Sequence, residues 1–96
     1  MLLSPALAKA FNDQIGHEFG ASFQYLSIAA HFYQRSLTLM AKLFEDQAEE
    51  ERQHAMKFVK YLQDTSGGLQ IPPIPAPKPT FGTAEEAVQA ALNWER

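Results

Sequence analysis

The sequence predicts an all-α protein, an antiparallel hairpin of two long helices followed by a long proline-rich crossover and the start of a third helix. Two stretches without an internal proline repeat apolar residues at three- and four-residue steps, which is the period of an α-helix. Each stretch is roughly 30 residues long, against a mean of about 11–12 for helices in globular proteins. Helices of that length in a chain of 96 residues favour a helical bundle.

The first helix is predicted from about residue 5 to about residue 35. Ser4 and Pro5 are typical of a helix start, because serine caps the first turn and proline at the first helical position lacks an N–H that would be unpaired there. Glu18 lies on the main, mostly apolar line of this helix, which consists of Leu7, Phe11, Ile15, Glu18, Ser22, Tyr25, Ala29 and Phe32. A second apolar stripe, which predicts neighbours on more than one side, consists of Phe19, Phe23, Leu26, Ala30 and Tyr33.

The second helix is predicted from about residue 38 to about residue 66. Gly67 and Gly68 predict its end, because glycine readily takes the positive φ that terminates many helices. The row that repeats at helical period and is expected to be buried consists of Met40, Phe44, Gln47, Glu51, His54, Phe58 and Tyr61.

Residues 67–83 are predicted to form the crossover, with five prolines between Pro72 and Pro79. Extended proline-rich backbone advances about 3.1 Å per residue, so this segment reaches on the order of 50 Å. The second helix is about 43 Å long at 1.5 Å per residue. The crossover can therefore return the chain to the end where the second helix began, with the third helix parallel to the second. A disordered linker is the alternative, and the anchors that argue against it are Ile71, Ile74 and Phe81.

The third helix is predicted to start at residue 84 and to continue to residue 96. Thr83 and Glu86 have the spacing of a capping box, in which each side chain pairs with a backbone N–H of the first turn. Glu95 follows the apolar row that Val88, Ala91 and Leu92 begin. We expect residues 1–96 to form one domain.

Composition excludes several classes of protein. The sequence has no cysteine, which argues against disulfide scaffolds and thiolate metal sites and is typical of a reducing, cytoplasmic location. Its net charge is −3 with scattered basic residues, so a nucleic-acid partner is not expected. Neither a membrane span nor a secretion signal is predicted, because charged residues interrupt every apolar run.

Four ionisable residues lie on otherwise apolar helical lines: Glu18, Glu51, His54 and Glu95. Buried carboxylates cost several kcal/mol unless something compensates them, and a metal ion is an economical compensation. Glu51 and His54 are three residues apart, which places both side chains on one helix face. Oxygen-rich ligands with one imidazole and no sulfur favour iron or manganese over structural zinc.

Two other interpretations stay open from the residues alone. The acidic run at residues 45–51 is typical of a solvated helix face, and a single histidine in a helix is commonly structural. The first helix also has a polar row, in which we expect His17 and His31 to lie at the surface or in a subunit contact. That row comprises Asp13, His17, Gly20, Gln24, Ser27 and His31.

Taken together, these features resemble the first half of a bacterial non-haem ferritin, a ferritin-like di-iron bundle with one long crossover. The resemblance rests on Glu18, Tyr25, the run at residues 50–54, the proline-rich crossover and Glu95. It implies that Glu18 and His54 bind the first iron of a ferroxidase centre, that Glu51 bridges both irons and that Glu95 binds the second. The implied activity is oxidation of Fe(II) by oxygen or peroxide and storage of ferric mineral in a shell of identical subunits.

The resemblance also gives roles to residues beside the centre. It implies that Tyr25 supplies an electron during oxidation, with a plain core tyrosine as the alternative. It implies that Glu50 contributes to an additional iron site facing the cavity, with a solvated glutamate as the alternative. Haem is not expected, because Arg52 occupies the position where bacterioferritins have a haem-ligating methionine.

A ferritin subunit continues beyond the point where this sequence ends, through the rest of the third helix and a fourth helix. The expected four-helix bundle is therefore incomplete or completed between molecules. One interpretation is a truncated ferritin, and the other is a half-length chain whose hairpins pair about a two-fold axis. A non-catalytic helical assembly module is the alternative function.

Overall fold

The computed structural model describes residues 3–65 and 68–95, and its three helices are α1 (Pro5–Gln34), α2 (Thr38–Asp64) and α3 (Ala84–Glu95). The described chain measures 50 × 18 × 18 Å, which is the shape of a helical hairpin. The predicted all-α fold, with a hairpin, a crossover and a third helix, is confirmed. Predictions for residues 66, 67 and 96 lie outside the described residues.

A short turn makes α1 and α2 antiparallel. Ser36 takes a left-handed backbone conformation with φ of 59°, and the N–H of Leu37 donates back to the carbonyl of Phe32 at 2.9 Å. At the other end of α1, the Ser4 Oγ accepts from the N–H of Leu7 at 3.2 Å, as its capping role predicts. The hairpin therefore begins and reverses at the positions that the sequence pattern indicates.

Two apolar clusters hold the hairpin together. The cluster near the α1–α2 turn continues onto α3, and its largest members are Tyr25, Ile28, Phe32, Phe44 and Phe81. The second cluster, near the start of α1, contains Ile15, Ala55, Val59 and Leu62. The candidate site lies along the hairpin between these two clusters.

The crossover lies along α1 and is held by two buried amide side chains. Asn12 donates to the carbonyl of Gly68 at 3.0 Å and accepts from the N–H of Gln70 at 2.7 Å. Gln24 donates to the carbonyl of Lys78 at 3.1 Å and accepts from its N–H at 2.9 Å. Each amide thus pairs with one backbone carbonyl and one backbone N–H, groups that have no partner within an extended segment. The crossover is therefore packed against α1 and is not a solvated linker.

The packing of the crossover against α1 corrects two expectations. His31 was expected at the surface or in a subunit contact, but it is buried, because Phe81 of the crossover packs edge-on against its ring with centroids 5.5 Å apart. Ile71 was expected to anchor the crossover but is 45% exposed, whereas Ile74 is half-buried and Phe81 is buried. Within the polar row of α1, Gln24 and His31 contact the crossover, whereas His17 and Gly20 lie against Trp94 of α3.

Helix α3 runs back along α1. Arg35 donates to the carbonyl of Gly82 at 3.2 Å, which fixes the end of the crossover, and the Thr83 Oγ1 caps α3 by accepting from the N–H of Glu86 at 3.1 Å. At its far end, Trp94 packs where α1 has Gly20, and a Cβ atom there would lie only 2.5 Å from the indole ring. The glycine therefore provides the space that lets α3 approach α1.

Two apolar surfaces of the hairpin lack a neighbour in the described residues. The second stripe of α1 is largely exposed, with Phe23 at 40% and Leu26 at 50%. An open groove of about 420 Å³ lies between α2 and α3, and we call it the α2–α3 groove; its lining includes Leu43, Val88 and Leu92 above Tyr25. Within the described residues, no helix has the length and apolarity needed to cross a membrane.

Candidate metal centre

Three of the predicted residues meet between α1 and α2. Glu18, Glu51 and His54, which we call the Glu/His cluster, each offer one ligand atom, and these atoms all lie within 4.8 Å of one another. The Nδ1 atom of His54 lies 3.7 Å from Oε2 of Glu18 and 3.6 Å from Oε2 of Glu51. One metal ion between the three side chains is therefore compatible with their positions.

Small residues bring the two helices together at this point. Ala21 of α1 and both Ala48 and Ala55 of α2 are buried, and their short side chains permit close packing of the helices. Ser22 adds a direct tie, because its Oγ donates to the carbonyl of Ala48 at 2.8 Å across the helix interface. Glu18 lies one turn before Ser22, and Glu51 lies three residues after Ala48, so the tie fixes the separation of the two carboxylates.

Burial differs among the three ligand candidates. The side chains of Glu18 and Glu51 are only 12% and 11% exposed, whereas that of His54 is 51% exposed. Oε2 of Glu18 is buried and accepts no hydrogen bond from any described residue. An unpaired carboxylate oxygen in the interior is costly, and it points toward the imidazole. A cation at that position would provide the missing partner.

The two carboxylates affect each other's titration. Burial, followed by the adjacent Glu18, raises the pKa of Glu51 to about 7. Burial also acts to raise the pKa of Glu18, but the neighbouring Glu51 carboxyl and the hydrogen bond from Gln14 outweigh it, and the pKa of Glu18 is lowered. Near neutral pH Glu51 is therefore partly protonated, and a bound cation would displace that proton.

Tyr25 and Glu95 form a second group, the Tyr25–Glu95 pair. The phenol is buried, at 1% exposure, and its hydroxyl donates to Oε1 of Glu95 at the last turn of α3. Burial, followed by the hydrogen bond to Glu95, raises the pKa of Tyr25. The charges of Glu51 and Glu18 act in the same direction, which shows that the phenol lies within electrostatic range of the Glu/His cluster.

The other predicted ligands lie outside the Glu/His cluster. Glu95 is exposed and bonded to Tyr25, and Glu50 is exposed on the α2 surface beside Glu51. Their assignment as iron ligands therefore remains a prediction. His17 is exposed and its ring lies 5.2 Å from that of Trp94.

Two glutamines that hydrogen-bond the Glu/His cluster are not among the predicted site residues. Gln14 donates to Oε1 of Glu18 at 2.8 Å, and Gln47 donates to Oε1 of Glu51 at 3.2 Å. Each glutamine precedes its carboxylate by four residues. That shared spacing is visible in the sequence and is the signal that could have identified them.

The family model for the ferritin-like domain matches residues 8–96. The chain belongs to this family. Ferritin BfrB of Mycolicibacterium smegmatis is 45% identical over 84 residues, a match that covers 88% of this chain and 46% of that protein. The bacterial non-heme ferritin of Staphylococcus aureus is 34% identical over 95 residues, a match that covers 99% of this chain and 57% of that protein.

The fold agrees with this family assignment. A crystal structure of a PmFTN variant soaked in iron superposes with a TM-score of 0.88 at 32% identity, covering 96% of this chain and 59% of that one. The chain thus spans about half the length of the curated relatives it matches. The predicted bacterial ferritin-like identity is confirmed.

Proposed function

We propose that this chain binds Fe(II) at the Glu/His cluster and oxidises it to Fe(III) as part of an iron-storage protein. The observation that supports the proposal most directly is the buried, unpaired Oε2 of Glu18, which faces the same space as Oε2 of Glu51 and Nδ1 of His54. Glu18 and His54 would bind the first iron, Glu51 would bridge to a second iron, and Glu95 would bind that second iron.

The donor set suits this chemistry. Negatively charged carboxylate oxygens stabilise Fe(III) more than Fe(II), so this donor set favours oxidation of the iron. Two Fe(II) ions release one electron each, and oxygen takes both electrons with two protons to give hydrogen peroxide. With peroxide as the oxidant, the same two electrons and two protons give two waters. The half-exposed His54 leaves the site accessible to an incoming ion.

The Tyr25–Glu95 pair provides a route for one further electron. A phenol that gives up an electron also gives up its proton, and the Glu95 carboxylate already accepts a hydrogen bond from that hydroxyl. The raised pKa of Tyr25 keeps the phenol protonated until then. Tyr25 would therefore donate one electron to the oxidant and become a neutral phenoxyl radical while its proton moves to Glu95. Together with one electron from each of three Fe(II) ions, this electron and four protons would reduce oxygen to two waters.

Two further assignments follow from the resemblance. Glu50 would contribute to an additional iron site, which suits its exposed position one residue before Glu51. No haem is proposed, because Arg52 follows Glu51 and its guanidinium pairs with Glu49 at 2.6 Å.

Aerobic addition of Fe(II), followed by ferric absorbance, tests the proposal. We expect oxidation well above the protein-free rate, and loss of that excess in Glu51→Ala and in His54→Ala. Asp46→Ala is the matched control, because it removes an exposed carboxylate of α2 that pairs with Lys42 and lies outside the Glu/His cluster. Equal rates for the wild type and both cluster variants would refute the proposal.

The identity of the metal needs its own experiment. Iron and manganese prefer similar oxygen-rich donor sets, so binding alone does not separate them. Crystals soaked with both metals, measured at the iron and manganese absorption edges, would locate each ion by its anomalous scattering. Iron at the Glu/His cluster is the expected result, and manganese alone at that position would contradict it.

We also propose that the protein self-associates. Leu39 is 87% exposed and Leu43 is 57% exposed, while the second stripe of α1 adds further apolar surface. Exposed apolar area of this kind marks interaction surfaces. The particle mass and the intact subunit mass in solution test the idea, with an oligomer expected and a stable monomer contradicting it. Association without iron oxidation would favour the non-catalytic assembly module.

A further inference from the structure

We propose that Gln14 and Gln47 are positioning residues that determine which oxygen of Glu18 and of Glu51 faces the metal ion. The inference rests on the proposed function, since it concerns how the Glu/His cluster presents its ligands. It assigns a role in metal binding to the exposed Gln14 and the half-buried Gln47, each of which hydrogen-bonds one carboxylate of the Glu/His cluster.

The first interaction lies on α1. Nε2 of Gln14 donates to Oε1 of Glu18 at 2.8 Å. Side chains on a helix lean toward its N-terminus, so an amide one turn earlier is well placed to hold the nearer oxygen. With Oε1 occupied, Oε2 is the oxygen left free, and it is the buried atom without a hydrogen-bond donor.

The second interaction repeats this arrangement on α2. Nε2 of Gln47 donates to Oε1 of Glu51 at 3.2 Å, again from the residue one turn earlier. Gln47 is half-buried and lines the α2–α3 groove beside Tyr25. The amide therefore holds the oxygen of Glu51 that is turned away from His54.

The two interactions converge on one geometry. In both carboxylates the amide holds Oε1, and in both the free Oε2 is the oxygen near Nδ1 of His54, at 3.7 Å for Glu18 and 3.6 Å for Glu51. A carboxylate that rotates freely can offer either oxygen or both. A carboxylate with one oxygen held by a neutral amide offers a single oxygen without a competing positive charge. Each amide should thus favour binding of the first metal ion through one carboxylate oxygen, and Oε1 of Glu51 would reach a second ion only after Gln47 releases it.

A glutamine elsewhere on α2 shows what an ordinary surface pair looks like. Gln53 donates to Oε1 of Glu49 at 3.4 Å, and both side chains are exposed. Arg52 donates to both oxygens of the Glu49 carboxylate, so neither oxygen is left free for another ligand. Gln53 is therefore a matched control for the loss of one glutamine amide on this helix.

The experiment measures Co(II) binding to the whole chain under anaerobic conditions. We expect Gln14→Met and Gln47→Met, which keep side-chain length but remove the donor, each to weaken Co(II) binding by roughly 10-fold. We expect Gln53→Met to bind within about twofold of the wild type, because the amide it removes lies outside the cluster.

Infrared spectra of the Co(II)-bound protein give a readout that stability alone would not change. The separation between the two carboxylate stretching bands is larger for one-oxygen binding than for binding through both oxygens. We expect this separation to fall in Gln14→Met and Gln47→Met and to stay unchanged in Gln53→Met. Gln14 is exposed and Gln47 half-buried, so all three variants should fold with unchanged circular dichroism.

The outcomes separate the inference from the proposed function. Absence of Co(II) binding by the wild type, or binding that survives Glu51→Ala, would refute the proposed function and the inference with it. Cluster-dependent binding that is unchanged in affinity and band separation in both methionine variants would overturn the inference alone. A lower Tm without a change in band separation would also overturn it, since the glutamines would then be purely structural.

Discussion

The Glu/His cluster and the Tyr25–Glu95 pair are built in different ways. The cluster takes its three side chains from the α1–α2 hairpin, where buried residues surround it on both sides along the helices. The pair joins a buried tyrosine of α1 to an exposed glutamate at the end of α3. The ligands proposed for the first iron therefore all lie on the hairpin, whereas the position of Glu95, proposed for the second iron, depends on how α3 docks.

The docking of α3 rests on few contacts. Phe81 and Ala87 bury its beginning, and Trp94 against Gly20 fixes its end. On its other side the α2–α3 groove is open, with Val88 at 37% and Leu92 at 49% exposure. Perturbing α3 should therefore disturb Glu95 and leave the Glu/His cluster intact, which makes the two halves separable by mutation.

Gly20→Leu should give the largest effect. Its side chain would occupy the space of the Trp94 indole, and overpacking of this kind costs about 3 kcal/mol in free energy of unfolding. Trp94 is the single tryptophan of the sequence, so its fluorescence should report the displacement. We expect Co(II) affinity of the Glu/His cluster to stay within about twofold of the wild type.

Ala30→Leu serves as the control for Gly20→Leu, because Ala30 is an exposed small residue of the same helix. It should change neither the fluorescence nor the free energy of unfolding by more than about 0.5 kcal/mol. If Gly20→Leu instead abolished Co(II) binding, the two halves would not be independent.

Glu51→Gln should stabilise the metal-free chain at pH 8. The pKa of Glu51 is raised from 4.5 to about 7, so the protonated form contributes stability that is complete below pH 4.5 and is lost as the pH rises through 7. Glutamine does not ionise, so the variant avoids that loss, and we expect a gain of about 2 kcal/mol at pH 8. The pKa of Glu18 is lowered, so its ionised form contributes stability that is lost as the pH falls through that pKa.

Thermal unfolding in the presence of a chelator, from pH 5 to pH 8, measures this effect. The Tm difference between Glu51→Gln and the wild type should grow over that range. Glu50→Gln, at the exposed neighbouring glutamate, should retain the pH dependence of the wild type. A constant Tm difference for Glu51→Gln would show that Glu51 does not titrate as the structure indicates.

The sequence was sufficient to predict the hairpin and most of the Glu/His cluster. Helical spacing places Glu51 and His54 on one face, and the apolar line through Glu18 turns that residue toward α2. These relations are local, because they depend on the fixed rotation per residue. The alignment of α1 against α2, which sets the distances between the three side chains, is a tertiary property and was only implied by the resemblance.

Phe81 was predictable as an anchor of the crossover, but the α1 residues that the crossover contacts were not. His31 belongs to a polar row, and polarity alone suggested a solvent-facing surface, yet Phe81 covers it. Gln24 meets the crossover 54 residues later in the chain through hydrogen bonds to backbone groups. Any residue except proline offers those same backbone groups, so the side chains of the crossover carry no signal for this pairing.

Gln24→Met should have an intermediate effect confined to the crossover. The change removes the partner of both backbone groups of Lys78, and because Lys78 is exposed, water can replace part of the loss. We expect a cost of about 1–2 kcal/mol and faster hydrogen exchange at the Lys78 amide. Gln14→Met, on the same helix, should leave that amide as protected as in the wild type, and equal protection in both variants would contradict the pairing.

Tyr25→Phe should have the smallest effect, and it tests the independence of the two halves most directly. The phenyl ring keeps the buried packing, while Glu95 is exposed and can exchange the lost hydroxyl for water, so we expect a cost below about 1 kcal/mol in urea unfolding. Co(II) affinity of the Glu/His cluster should not change, because no ligand atom moves. A large loss of affinity would mean that the phenol, rather than the hairpin packing, holds the carboxylates in place.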